Sequence, residues 1–191
     1  MEARQEKRHY MYEDYCEWND DVRYELIDGA AYIMASPSMR HQDMLLNLGW
    51  KLREHLQGKV CKVFVAPFDV RLNWDKGDDT VVQPDVFVVC DHDKLSDGKS
   101  CKGAPDLVIE ILSPSTINYD IMKKFTKYTD AGVREIWFVD PDDGKTRIYK
   151  KRDDEYFVNT FGSTDKITVG ILPELTIDMK EIFEIQEEEN S

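Results

Sequence analysis

Apolar positions recur along this chain with two different periods, and the switches between them outline its elements. From Met39 to Leu56 the residues Met44, Leu45, Leu48, Leu52 and Leu56 keep helical spacing, which predicts one long amphipathic helix. Ser36-Pro37-Ser38 breaks the chain before it and offers an N-cap, and Gly58 ends it. Ile121, Phe125 and Tyr128 set the core-facing stripe of a second helix, started by Ser113-Pro114-Ser115-Thr116 and capped by Gly132. A short helix with aromatic anchors is expected between Tyr10 and Trp18.

The remaining segments read as strands. RYELIDGAAYIMAS predicts a β-hairpin, because Asp28-Gly29 suits the two positive φ angles of a type I′ turn. KVFVAPFDVRLNW reads as one strand, alternating in its second half. Val86–Val89 and Leu107–Leu112 read as buried strands, separated by a polar loop from Cys90 to Ala104. REIWFVDP, a tight turn at Asp142-Asp143-Gly144-Lys145 and TRIYKKR predict a further hairpin. EYFVNTF, KITV and LTIDM continue as short strands, with a closing helical turn over Lys180 to Ile185. This order predicts an α/β (α+β) sheet flanked by helices in one domain, residues 21–185. An N-terminal helical segment of the same domain, 1–20, precedes it, and an acidic tail, 186–191, follows.

Two carboxylates fall where this pattern wants apolar residues. Continuous Val/Ile/Leu runs are typical of strands covered on both faces. Yet Asp85 stands at the mouth of the first run, behind Gln83-Pro84, and Glu110 interrupts the second. A carboxylate in such a setting is costly unless a cation or donors compensate. Alone, Asp85 reads as a turn aspartate after Pro84. Two acids on neighbouring strands are explained together by a metal site. Carboxylate oxygens suit Mg²⁺ or Mn²⁺, ions that keep several waters and take one or two protein carboxylates. The backbone carbonyl of Ile111, beside Glu110, would be a third protein ligand. Such an ion activates water and neutralises charge in phosphodiester cleavage, and a nearby lysine would hold the phosphate or the water.

Composition and charge narrow this picture. With 41% hydrophobic and 33% charged residues in 191, the chain reads as globular rather than disordered. No apolar run approaches the roughly 20 residues that cross a bilayer. The N-terminal charges have no apolar stretch behind them, so the cytoplasm is expected. Cys16, Cys61, Cys90 and Cys101 form no Cys-x-x-Cys pair and read as buried small hydrophobes or surface thiols. The net charge of −13 works against a nucleic-acid partner unless a local basic groove or a metal bridges the phosphates. Part of that charge is local, since EIFEIQEEENS holds five Glu and neither Lys nor Arg.

The succession YELIDG, Ser-Pro with His41, QPDVFVV, PDLVIEILSPST and K-x-x-x-Y-x-x-x-GV-x-E-x-W-x-VDP resembles the Uma2 family, long catalogued as a domain of unknown function. That family is similar in its core to the PD-(D/E)xK nucleases of the restriction-endonuclease-like fold. The resemblance covers roughly Tyr24 to Phe183. It implies a mixed sheet flanked by helices, a Mg²⁺- or Mn²⁺-dependent cut of nucleic acid, DNA first, and a homodimer.

Carried over, the resemblance makes Asp85 the motif aspartate and Glu110 the motif glutamate. Two residues after Glu110, where the wider pattern has lysine, stands Leu112. The lysine is then expected on the following helix, at Lys124, with Lys123 its competitor. Glu25 matches a position that reaches the metal from the N-terminal side; equally, it reads as the paired solvent face of a hairpin arm. His41 and Gln83 match family positions, and His41 taken alone reads as a packing histidine rather than a base. Two other functions remain open at this stage: a catalytically silent interaction module on the same fold, and a hydrolase of a small phosphate ester.

Overall fold

The computed structural model describes residues 9–113 and 119–184. The predicted N-terminal helix shortens to α1 (Tyr12–Cys16). β1 (Tyr24–Ile27) and β2 (Ala30–Ile33) form the hairpin. Asp28 and Gly29 both take positive φ, 52° and 73°, as the type I′ turn demands. The long helix α2 (Met39–Leu56) has the predicted bounds, and Ser38 Oγ caps it by accepting the His41 N–H at 3.2 Å.

KVFVAPFDVRLNW departs from its reading as one strand. It divides into β3 (Lys62–Val65) and β4 (Asp69–Arg71), which belong to different sheets. Pro67 falls at the break, where a residue without an N–H cannot continue a ladder. β5 (Val81–Val82) and β6 (Val86–Val89) flank Gln83-Pro84-Asp85. The segment from Cys90 to Ala104 is more ordered than a loop. It holds a 3₁₀ turn at His92–Leu95 and β7 (Ser100–Lys102), which pairs in parallel with β4.

β8 (Leu107–Ile111), α3 (Tyr119–Ala131), β9 (Glu135–Asp140), β10 (Lys145–Arg152) and β11 (Glu155–Gly162) follow the predicted order. So do β12 (Lys166–Thr168), β13 (Thr176–Asp178) and α4 (Met179–Phe183). Gly132, at φ 87°, closes α3 by donating to the Tyr128 and Thr129 carbonyls. The expected helix start at Ser115-Thr116 and the tail 186–191 lie outside the described residues, as do residues 1–8 of the N-terminal segment.

Among the described residues the strands form three sheets. The largest runs β11-β10-β9-β8-β6-β3, with β8 and β9 parallel; a second runs β2-β1-β5-β4-β7; β12 and β13 pair alone. The architecture is mixed α+β, as read. Alternation along β6 and β8 divides the core. Val86, Val88, Leu107 and Ile109 face α2 and α4, whose Leu48, Leu52 and Met179 pack on them. Phe87, Val89 and Val108 face the other way, onto Tyr128 of α3 and onto Val70 and Val82 of the second sheet. Trimming the fully buried Leu48 to alanine would cost about 2–5 kcal/mol. Among the described residues no helix is long and apolar enough to cross a membrane.

The cysteines correct another expectation. Cys61 and Cys90 are joined as a disulfide, while Cys16 and Cys101 remain free. The register Lys62↔Val89 makes residues 61 and 90 the next cross-strand pair. Spacing along the chain carries no sign of this, because the pairing arises only from the β3–β6 register.

Candidate active site

The period of two decides where the two strand acids point. Val86 pairs with Ile109, so Asp85 and Glu110 are the next residues along the same ladder. Both have the parity of Phe87 and Val108, and therefore share the sheet face that packs on α3. Ile111 N–H donates to Asp85 Oδ2 at 2.8 Å, drawing the aspartate against the strand that carries Glu110. His41, held in the first turn of α2 by the Ser38 cap, brings Nε2 to 3.1 Å from the same Asp85 oxygen.

Helix α3 supplies the cation. Ile121, Lys124, Phe125 and Tyr128 follow i, i+3, i+4 and i+7 spacing and share one face of the helix. Lys124 Nζ lies 3.1 Å from Glu110 Oε1 and 2.8 Å from Glu25 Oε1. The fully buried Tyr128 donates its hydroxyl to Glu110 Oε1 as well. Lys123, one position round the helix, instead reaches the Tyr32 hydroxyl at 2.9 Å and stands over that ring. The structure thus brings Lys124, not Lys123, to the two glutamates.

Glu25 is not on a solvent face. Its strand β1 is buried throughout, and the side chain is only 1% exposed. Tyr24 and Leu26 pack into a small cluster with Tyr10 and Val81, which leaves Glu25 directed to the opposite side, toward Lys124. Gln83 N–H donates to Glu25 Oε1 at 2.8 Å. The Gln83 side chain is itself fixed, accepting from Arg23 at 2.8 Å and donating to Asp69 at 3.0 Å and Tyr15 at 3.1 Å. Gln83 therefore holds the glutamate in place rather than reaching the strand acids.

The acids and Lys124 line a cleft of 770 Å³, together with Arg23, Arg40, His41 and the backbone region of Ile111. Burial pushes the Glu110 carboxyl up to about 7; Asp85 and Glu25 add to this, while Lys124 and Tyr128 oppose it. Burial works against the Lys124 ammonium, but Glu110 and Glu25 outweigh it and hold its pKa above the ordinary value. Burial likewise pulls on His41, yet the Asp85 hydrogen bond and charge, with Glu110 and the Ile111 backbone, raise it. Burial, then the glutamates, push Tyr128 well above the usual phenol range, which keeps it a donor.

Which metal these groups would suit follows from their number. Among the described residues, no three His, Cys, Asp or Glu side chains are grouped to cage an ion by themselves. Mg²⁺ and Mn²⁺ ask for less: one or two carboxylates, with water in the other positions. Asp85 and Glu110 would supply that pair, and no described donor reaches Asp85 Oδ1 or Glu110 Oε2. The raised Glu110 pKa comes first from burial, with the neighbouring acids adding to it, and a bound cation would favour the charged form. The donor set fits a hydrated, hard divalent ion.

Residues 11–180 match the Uma2 family, described as "Putative restriction endonuclease". The chain belongs to the Uma2 family. Two uncharacterized Synechocystis proteins are similar to this Uma2 chain, each 28% identical. One aligns over 161 residues, 81% of this chain and 82% of the relative. The other aligns over 138 residues, 71% and 76% of the two chains. The fold is shared with a crystal structure from Anabaena variabilis described as a "putative nuclease belonging to DUF820". Its TM-score is 0.74 at 17% identity, covering 91% of this chain and 97% of that one.

Sequence reasoning missed two parts of the Uma2 cleft. Tyr128 was legible as part of the core stripe and of the K-x-x-x-Y block, but not as a donor to Glu110, although its place four residues after Lys124 puts both on one helix face. Arg23 and Arg40 carried no local signal, because they reach the cleft from the hairpin and from α2.

Proposed function

We propose that this Uma2 chain is a Mg²⁺- or Mn²⁺-dependent endonuclease that hydrolyses phosphodiester bonds of nucleic acid, DNA first. One observation carries the reading: Asp85 and Glu110 share a face of adjacent strands at the floor of a cleft, with the Lys124 ammonium 3.1 Å from Glu110. In this reading Asp85 and Glu110, with the Ile111 carbonyl, hold the ion. When bound, the ion supplies charge neutralisation and an acidified water.

The chain's own groups do the positioning. Lys124 holds the scissile phosphate or orients the attacking water, and its raised pKa keeps it cationic throughout the working range. Glu25 and Tyr128 fix the Lys124–Glu110 geometry from opposite sides. His41 orients Asp85 through Nε2 and supports its charged form. Ion and lysine together would draw phosphate into a molecule whose overall charge is −13.

Cleavage of circular DNA, single-stranded and supercoiled, tests the reading. Activity should need Mg²⁺ or Mn²⁺, and should fall at least 100-fold in Asp85→Asn and in Lys124→Ala. Equal activity in wild type and both variants would mean a contaminant and remove the reading. Hydrolysis of small phosphodiester reporters without DNA cleavage would replace it with the phosphate-ester alternative, and no divalent binding at all with the silent module.

A further inference from the structure

We infer that the strand this cleft accepts is unpaired: single-stranded DNA rather than an intact duplex. The inference rests on the nuclease reading above and specifies its substrate. Depth is the first reason. Glu110 is 7% exposed, and the Lys124 and Asp85 side chains are 12% and 15% exposed, so a phosphate must descend to meet them. At 770 Å³ the cleft has the size of pockets that enclose small ligands, about 300–1,000 Å³. A duplex presents a stiff backbone, and its binders spread about 600–2,500 Å² of surface over it.

Charge is the second reason. Arg23 and Arg40 line the cleft and make no ion pair with a described carboxylate, and the buried Arg40 Nε has no partner among the described residues. Many basic side chains elsewhere pair with neighbouring acids, as in Lys51–Glu181, Lys127–Asp28 and Arg134–Asp106. Residues 114–118, which follow Ser113 in the chain, include neither Lys nor Arg. A net charge of −13 works against a broad basic face of the kind a duplex asks for. The cleft itself holds two guanidinium groups without a described carboxylate partner, Arg40 and Arg23, the latter also donating to Gln83; they suffice for the phosphates on either side of the one at Lys124.

The walls are the third reason. Ile33, Met34, Pro37, Pro67 and Ile121 line the same cleft as the arginines. Apolar surface of this kind suits base faces, which a single strand exposes and a duplex keeps stacked. Arg23 and Arg40 are then positioning residues for the strand.

Two closed circles of the same sequence, one single-stranded and one a relaxed duplex, separate the possibilities when the full chain is assayed with Mn²⁺. The single-stranded circle should be cut at least 10-fold faster. Arg23→Ala and Arg40→Ala should each raise KM for it several-fold, with Mn²⁺ affinity unchanged. Single-strand affinity should fall with salt at a log–log slope of about −2, for three phosphate contacts at about −0.7 each. Equal or faster cutting of the duplex circle overturns this inference while the nuclease reading stands. Failure to cut either circle removes the nuclease reading and this inference with it.

Discussion

The Lys124 ammonium lies 2.8 Å from an oxygen of Glu25, joining the second helix layer to a hairpin placed far earlier in the chain. The same ammonium contacts Glu110, so one cation holds two buried acids from two different sheets. Glu25 is almost fully enclosed and has its other donor in the Gln83 N–H. The site and the packing of the second sheet on α3 are thus one structure.

Removing that cation should therefore cost stability as well as activity. Lys124→Ala leaves a buried carboxylate without its charge partner, a loss of about 3–5 kcal/mol by analogy with other broken buried pairs. Urea denaturation should show it, and Glu25→Gln in the same chain should recover part of the loss. A Lys124→Ala protein as stable as wild type would mean that Glu25 finds another donor.

Acidity gives a second prediction. Glu110 is raised from 4.5 to about 7, so between these values the folded chain binds more protons than the unfolded one. Stability of the metal-free protein then falls as pH rises through that window. His41, also raised, contributes stability present below about 6.5 that is lost as pH rises through its folded pKa, in the same direction. Urea midpoints without divalent ions should fall from pH 5 to pH 8. Glu110→Gln should flatten the lower part of the slope. A midpoint that rises over this range would contradict the charge arrangement described.

Tyr128→Phe isolates one hydrogen bond. The hydroxyl donates to Glu110 inside the core, and a bond to a charged acceptor is worth about 1.5–3 kcal/mol. The variant should lose about that much stability near pH 8, measured by chemical denaturation. It should also push the Glu110 pKa higher still, visible as a carboxylate titration by NMR.

The Cys61–Cys90 disulfide closes a stretch with a sequence separation of 29. Chain entropy assigns such a loop a stabilisation of about 3–4 kcal/mol. Thiol titration should find two free cysteines in the oxidised chain and four after reduction, and reduction should lower the urea midpoint. Four reactive thiols in the denatured, unreduced chain would contradict the bond.

What was legible beforehand follows from the range of the forces involved. The α2 helix, the Asp28-Gly29 turn and the Gly132 cap are set by neighbours in sequence, and they stand where the pattern puts them. Asp85 and Glu110 were legible as misfits in apolar strands, and strand parity brings them to one face. The expected choice between Lys123 and Lys124 needed the helix to be docked before its register could decide. Glu25 was ambiguous because its burial depends on the pairing Leu26↔Val81, a contact between distant segments. The disulfide and the division of KVFVAPFDVRLNW between two sheets were hidden for the same reason.

The central proposition is that Asp85 and Glu110 bind one divalent ion between them. Anomalous diffraction from crystals soaked in Mn²⁺, for wild type and Asp85→Asn, tests it most directly. The account expects a single manganese peak within about 2–2.5 Å of both carboxylates in the wild type, hard-cation ligand distances, and none in the variant. A wild-type crystal with no peak there, or a peak that persists in Asp85→Asn, would contradict it.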